Sequence, residues 1–196
     1  MEDKNVRTYQ QSECVIFLHT KQRFGGLSNM CAGYPLRINE VDIRTAEALY
    51  QACRFPSYEV IQSEIIAQRS PISAKMKARK HHFFTRSDWN SVRLKVMRWT
   101  LRVKLAQNWD KFSTLLLLTG DKPIVEESSR GDKYWGAIRQ QAGGTVLVGT
   151  NALGRLLMEL RQELREKGET MKIVAPPVGL ENFLFLGKAI ALIEIH

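Results

Sequence analysis

Four stretches of this chain place polar side chains where loops or helix starts could aim them at a ligand: Phe24–Asn29 (FGGLSN), Thr45–Phe55 (TAEALYQACRF), Glu126–Gly136 and Gly149–Arg161 (GTNALGRLLMELR). Glu47, Glu126 and Asp132 are the candidate acids among them, and carboxylates so placed can do acid–base work. The backbone around Gly25-Gly26, and the amides near the helix start at Asn151, are suited to phosphate oxygens. Each stretch also has an ordinary explanation. Glu47 could be a first-turn acid favoured by the helix dipole. Glu126, Glu127 and Asp132 could be solvated loop acids, and Trp89 and Trp135 could be core. Metal chemistry is not expected: the four histidines and three cysteines lack ligand spacing.

The elements that must position these residues can be read from periodicity and punctuation. Cys14–Leu18 is a short β-prone run, and Pro35–Ile43 has room for one or two short strands. Thr45 should begin a helix through Arg54, and Tyr58–Gln68 reads as the next. Ser70 caps a third, with Pro71 in its first turn. Ser87 should cap the longest helix, Asp88–Gln107. Its buried face is marked by Val92, Val96, Trp99 and Val103, with Lys95, Arg98, Arg102 and Lys104 toward solvent. Asp110–Thr119 is a helix stopped by Gly120, Pro123–Glu127 is extended, and Ser128–Trp135 is a loop. Asn151 should cap Ala152–Lys167, in which Leu153, Leu156, Leu157, Leu160 and Leu164 line one side. Gly168 ends it. The tail holds two apolar runs, Met171–Ala175 and Phe183–Ile195, either short strands or a closing helix. The expectation is an α+β fold: one mainly helical compact domain, residues 1–196, with a few short strands.

Composition narrows the class of function. The 196 residues are 44% hydrophobic and 25% charged, as in ordinary globular proteins. No apolar run is long enough to cross a bilayer, and the polar Met1–Ser12 does not read as a signal peptide. Cys14, Cys31 and Cys53, an odd number, suggest buried free thiols in a reduced, cytoplasmic setting. The formal charge of +9 asks for an anionic partner, although a solvated basic surface would produce the same number. The run Lys75, Lys77, Arg79, Lys80, His81, His82 is a candidate strand contact.

FGGLSN (24–29), TAEALYQACRF (45–55), Trp89 opening a helix, VEESSRGDKYWG (125–136) and GTNALGRLLMELR (149–161) together resemble the NADAR family, also called YbiA-like proteins. The resemblance runs from about Phe17 to Arg161, in the family's order and spacing, leaving Met171–His196 as a C-terminal extension. The last block and the D-x-x-W-G of Asp132–Gly136 are its specific signals. It implies a helix-rich domain whose cleft binds an N-linked ribose phosphate or ADP-ribose, with no metal and no cofactor. The family's catalytic glutamate falls on Glu47. The histidine that follows it in the family is Ala48 here, so any role for that imidazole is absent. The family's loop acid falls on Asp132, its tryptophans on Trp89 and Trp135, and its V-E acid on Glu126.

Those residue types suit hydrolysis of an N-glycosidic bond. Breaking C1′–N builds positive charge on the ribose, which a carboxylate stabilises while deprotonating the attacking water. Glu47 is the first candidate; Asp132 or Glu126 would orient the water or assist the leaving base. The binding candidates are Arg23, Gly25, Gly26, Ser28, Asn29, Trp89, Tyr134, Trp135, Gly136, Gly149, Asn151 and Gly154, with both indoles able to stack on a base. Lys21 would contact phosphate or form an imine with a ring-opened ribose. The charge and the basic run favour removal of ADP-ribose from guanine in DNA, single-stranded DNA above all. That would reverse an ADP-ribosyltransferase toxin, an antitoxin role. The alternative is an N-glycosidase for a ribosylamino-pyrimidine phosphate of riboflavin synthesis; the second alternative is a non-catalytic module that binds ADP-ribose or NAD. Oligomeric state is not legible.

Overall fold

Short strands and well-capped helices follow one another in the order that the punctuation residues dictate. The computed structural model describes residues 5–129 and 131–194. In chain order they form β1 (Arg7–Gln10), β2 (Val15–Phe17), β3 (Leu36–Ile38) and β4 (Val41–Ile43). Helices α1 (Ala46–Ala52), α2 (Glu59–Ile66), α3 (Pro71–Lys80), α4 (Trp89–Gln107) and α5 (Trp109–Leu117) follow. Then come β5 (Ile124–Glu126), β6 (Ile138–Arg139), β7 (Val146–Gly149), α6 (Ala152–Lys167), β8 (Ile173–Val174), β9 (Leu184–Phe185), β10 (Lys188–Ala189) and β11 (Ile193–Glu194). Six helices with short strands make the α+β class expected. Among the described residues no helix is long and apolar enough to cross a membrane. The chain divides into two compact units, residues 1–28 with 111–166, and residues 29–110 with 167–196.

In the first unit, β7 is the middle of an antiparallel sheet, with Thr8 and Ile138 both opposite Val148. A parallel pair, β2 and β5, sets Phe17 beside Glu126. Val125 at the centre of β5 packs with Tyr9, Leu147 and Ala137. Helix α6 buries all five leucines that its periodicity marks, as an amphipathic helix must. It ends at Gly168, whose φ of +54° is the left-handed geometry that glycine supplies at a helix end.

In the second unit, Thr45 Oγ1 accepts from the Ala48 N–H and opens α1; Ser70 Oγ accepts from the Ser73 N–H and opens α3, with Pro71 first in the helix. Helix α1 ends at Ala52, two residues short of Arg54. The strands expected in Pro35–Ile43 form the hairpin β3–β4, and the C-terminal tail contributes strands rather than a helix: β8 with β11, and β9 with β10. The extension is tied in by Gln62, buried on α2, whose Nε2 donates to the Ala52 and Leu184 carbonyls while its Oε1 accepts from the Leu186 N–H. Ile195 and His196, at the end of the second apolar run, and Arg130 of the VEESSRGDKYWG block lie outside the described residues, as do the first four residues of the polar Met1–Ser12 stretch.

Four sequence expectations are corrected. The N-cap of α4 is Asp88, not Ser87, and its carboxylate does not cap: both oxygens are taken by Arg86, at 2.6 and 2.9 Å. Lys104 is fully buried, with its ammonium 4.5 Å above the Tyr34 ring. Helical phase pointed it outward, but inside the fold the Tyr34 ring face is among its partners. Val92 is only half-buried, so the buried stripe of α4 begins at Val96. Of the three thiols, Cys53 alone is buried, and burial pushes it up to about 12; Cys14 and Cys31 are half-exposed.

Candidate active site

Helix α1 carries a row of buried and half-buried polar side chains in the second unit. Glu47, Gln51 and Arg54 recur at intervals of four and three residues, so they share one face of the turn. Glu47 lies in the first helical turn, 7% exposed, and its N–H donates to the Asn29 carbonyl. Asn29 thereby fixes the helix start. Its own Oδ1 is buried without a hydrogen-bond partner among the described residues, while its Nδ2 faces Met97 Sδ at 2.9 Å.

The Gln51 amide is polarised along the row. Its Nε2 donates to Glu47 Oε1 at 2.8 Å, and its Oε1 accepts from Arg54 Nη1 at 3.1 Å. Arg54 Nη2 reaches Thr85 Oγ1 at 3.4 Å, and Arg54 Nε is buried with no acceptor among the described residues. The guanidinium lies 5.4 Å from the centroid of the Trp89 ring, which in turn stands 5.1 Å from that of Tyr50. Glu47 and Trp89 therefore belong to one cluster, joined through Gln51 and Arg54. Trp89 is half-buried, neither core nor free surface.

The electrostatics of this cluster act on Glu47 in opposite senses. Burial raises the Glu47 carboxyl above its ordinary range, and Lys75 of α3, the Gln51 hydrogen bond and Arg54 pull it back down. Burial lowers the Arg54 guanidinium, partly offset by Tyr50 and Glu47. A buried carboxyl perturbed by both burial and specific cations is the kind of group that marks a candidate site. Sequence reasoning missed Gln51 and Arg54; their shared face with Glu47 was the available signal.

The remaining sequence candidates sit in the first unit, and much of their chemistry is turned inward. Asp132 Oδ1 accepts from the N–H groups of Tyr134 and Trp135 at 3.0 and 2.9 Å, and the Asp132 N–H donates to Ser128 Oγ. Asp132 thus shapes the loop that presents the two aromatics, whose rings meet edge to face at 5.1 Å. The N–H groups of Asn151, Ala152 and Leu153 donate to the carbonyls of Gly136, Tyr134 and Trp135. Those amides therefore do not offer a phosphate site, as the sequence had suggested. Asn151 does not cap α6 with its side chain either. Fully buried, it accepts from the Glu126 N–H and donates to the Ile124 carbonyl, pinning β5 to the helix start. Glu126 ends β5, half-buried.

The glycines of these motifs answer to packing. A Cβ on Gly154 would strike the Ile124 carbonyl and the Asn151 side chain; on Gly149, the Gly136 carbonyl; on Gly136, the Glu126 carbonyl at 2.6 Å. Gly25 is closed in by the Thr20 and His19 carbonyls, and its N–H donates to Gln22. Gly25 and Gly26 lie buried in a 3-10 turn, Gly25–Leu27, followed by buried Ser28. Lys21 and Arg23 are exposed, with the Arg23 guanidinium 5.1 Å from the Phe24 ring. Arg23 also borders a cavity of about 740 Å³ within the first unit, near Cys14 and the Glu127–Arg139 pair. Among the described residues no cluster could hold a metal ion.

Residues 16–165 match the NADAR domain, three quarters of the chain and every motif above. The chain belongs to the NADAR family. Among NADAR relatives, the N-glycosidase YbiA of Escherichia coli is 33% identical over 161 residues, spanning 82% of this chain and 94% of that protein. An N-glycosidase of Nostoc punctiforme is 31% identical over 77% of this chain and 92% of its own length. A riboflavin biosynthesis protein of Vibrio vulnificus is 30% identical over 83% of this chain, which covers 41% of that longer protein. The NMR structure of E. coli YbiA superposes with a TM-score of 0.65 at 33% identity, covering 81% of this chain and 89% of that one.

Proposed function

We propose that this NADAR protein hydrolyses the N-glycosidic bond between a phosphorylated ribose and a nitrogenous base. The observation that carries the reading is Glu47: a buried carboxyl held by Gln51, faced by two cations and joined to an indole through Arg54. Ionised, it offsets the positive charge that develops at C1′ and takes a proton from the attacking water. Arg54, with an unpartnered Nε, is assigned to a phosphate oxygen, and Trp89 to a flat ring. Asp132 is assigned to the shape of its own loop. The relatives named N-glycosidases support the bond class.

For the substrate we favour ADP-ribose on guanine in nucleic acid, an antitoxin activity. Lys75, which acts electrostatically on Glu47, belongs to a helix whose cations Arg79 and Lys80 are exposed. The second reading, a ribosylamino-pyrimidine phosphate of riboflavin synthesis, is favoured by the relative named for that pathway. Incubating the protein with an ADP-ribosylated guanine oligonucleotide and, separately, with the pyrimidine phosphate decides between them. Release from the oligonucleotide alone supports the first, and release from the pyrimidine phosphate alone supports the second. Binding of ADP-ribose without turnover of either would overturn both.

A further inference from the structure

From Arg69 to Ser87 the chain holds six cations, Arg69, Lys75, Lys77, Arg79, Lys80 and Arg86, and no acidic residue. Glu64 of α2 answers two groups of this stretch, Lys77 at 3.4 Å and His81 at 2.9 Å, and Asp88 answers Arg86. Lys75, Arg79 and Lys80 are exposed and make no ion pair among the described residues. Lys75 and Arg79 stand one turn apart on α3, and their charges act on Glu47 and Arg54 respectively. The basic face therefore borders the catalytic row.

Where α3 ends, the surface becomes aromatic. Phe83 is 86% exposed, its ring centroid 3.9 Å from that of His82 with the planes tilted by 37°. Phe84 and Tyr58, about half-exposed, meet edge to face at 5.1 Å. These three rings line a cleft of about 390 Å³ that also contains Thr85, the hydroxyl that Arg54 contacts. The cleft's charged lining is Arg86, paired with Asp88, and Glu181; the unpaired cations lie on α3, which leads into the rings. Scattered exposed apolar residues are ordinary, but three rings around one cleft at the end of that basic helix are not scatter. Aromatic faces beside a row of cations match the alternation of flat bases and phosphates in an unpaired strand.

We infer that α3 and the Tyr58–Phe83–Phe84 cleft form a docking surface for single-stranded nucleic acid, with Phe83 stacking on a base that flanks the reactive nucleotide. The inference rests on the nucleic-acid reading of the Glu47 site and names the partner surface that serves it. A duplex would bury its base faces, so the rings select an unpaired strand.

The test measures fluorescence anisotropy of a labelled, unmodified oligothymidylate with the full chain across a salt series. The wild type should bind, and Phe83→Ala should weaken binding roughly tenfold, in the range of one lost base stack. Lys80→Ala should flatten the log-affinity against log-salt slope by about 0.7, one phosphate contact. Phe83→Ala should also lower kcat/KM for an ADP-ribosylated oligonucleotide while leaving ADP-ribosyl-guanosine turnover unchanged. Equal affinity of Phe83→Ala and wild type would overturn the surface, as would equal loss on both substrates. So would a dimer that Phe83→Ala dissociates, because the rings would then serve a second copy. Phe83-dependent binding with no turnover of either substrate supports the surface and contradicts the hydrolytic reading instead.

Discussion

Gln51 donates its amide N–H to Glu47 Oε1 at 2.8 Å, one helical turn away and wholly within the buried face of α1. Its other amide atom is held by Arg54, so the donor cannot turn away from the carboxylate. The hydrogen bond orients the Glu47 carboxyl and, with Lys75 and Arg54, opposes the upward push of burial on it.

Glu47→Gln should abolish turnover, with a loss on the order of 10²–10⁴ in kcat. It should also stabilise the fold at neutral pH. Burial raises the Glu47 carboxyl, so the folded state favours the neutral form; that stabilisation is present at low pH and is lost as pH rises through the folded-state value. The neutral amide has no such dependence. Thermal melts from pH 4 to 8 should show wild type and variant converging at the acid end, with the variant gaining above it. A constant difference across that range would contradict the buried-acid description.

Gln51→Leu removes the hydrogen bond that lowers the Glu47 carboxyl and leaves Oε1 without that donor. The acid limb of the kcat/KM profile should move to higher pH. Arg54→Ala should move it the same way, since the Arg54 charge also favours the ionised form. Limbs that stay in place would show that another group governs the rate.

Asp132→Asn should be mild and Asp132→Ala costly. The asparagine oxygen can still accept from the Tyr134 and Trp135 N–H groups, whereas alanine abandons both, at about 1–3 kcal/mol of stability. Denaturant titration reads the stability difference directly. Loss of activity in Asp132→Asn with an unchanged melt would instead make Asp132 a catalytic acid.

Gly154→Ala tests the packing reading of the GTNALG block. The new methyl has no room beside the Ile124 carbonyl and Asn151, and should cost about 1–3 kcal/mol through backbone displacement. Full stability of that variant would reopen a ligand role for the glycine.

Much of this was legible in the sequence because local rules and packing agreed. Thr45, Ser70-Pro71 and Gly168 bounded helices where capping chemistry says they should, and the leucines of α6 gave its buried face outright. Lys104 was misread because helical phase carries no information about an aromatic partner seventy positions earlier in the chain. Asn151 was misread for a similar reason: a helix-start asparagine reads as a cap, but here β5 supplies better partners for both its amide atoms. Position 47 entered as a candidate through its family motif, while its contacts with Gln51 and, through it, Arg54 needed the helix face to be drawn. The link between the Asp132 loop and the α6 start was not legible in sequence, because it consists of backbone hydrogen bonds that side-chain identity does not encode.

The most direct measurement is single-turnover release of base from a ribosylated substrate by wild type and Glu47→Gln, each shown to be folded and to bind ADP-ribose. The account predicts release by the wild type and at least a hundredfold slower release by the variant at equal ligand affinity. Release by Glu47→Gln at the wild-type rate would contradict it.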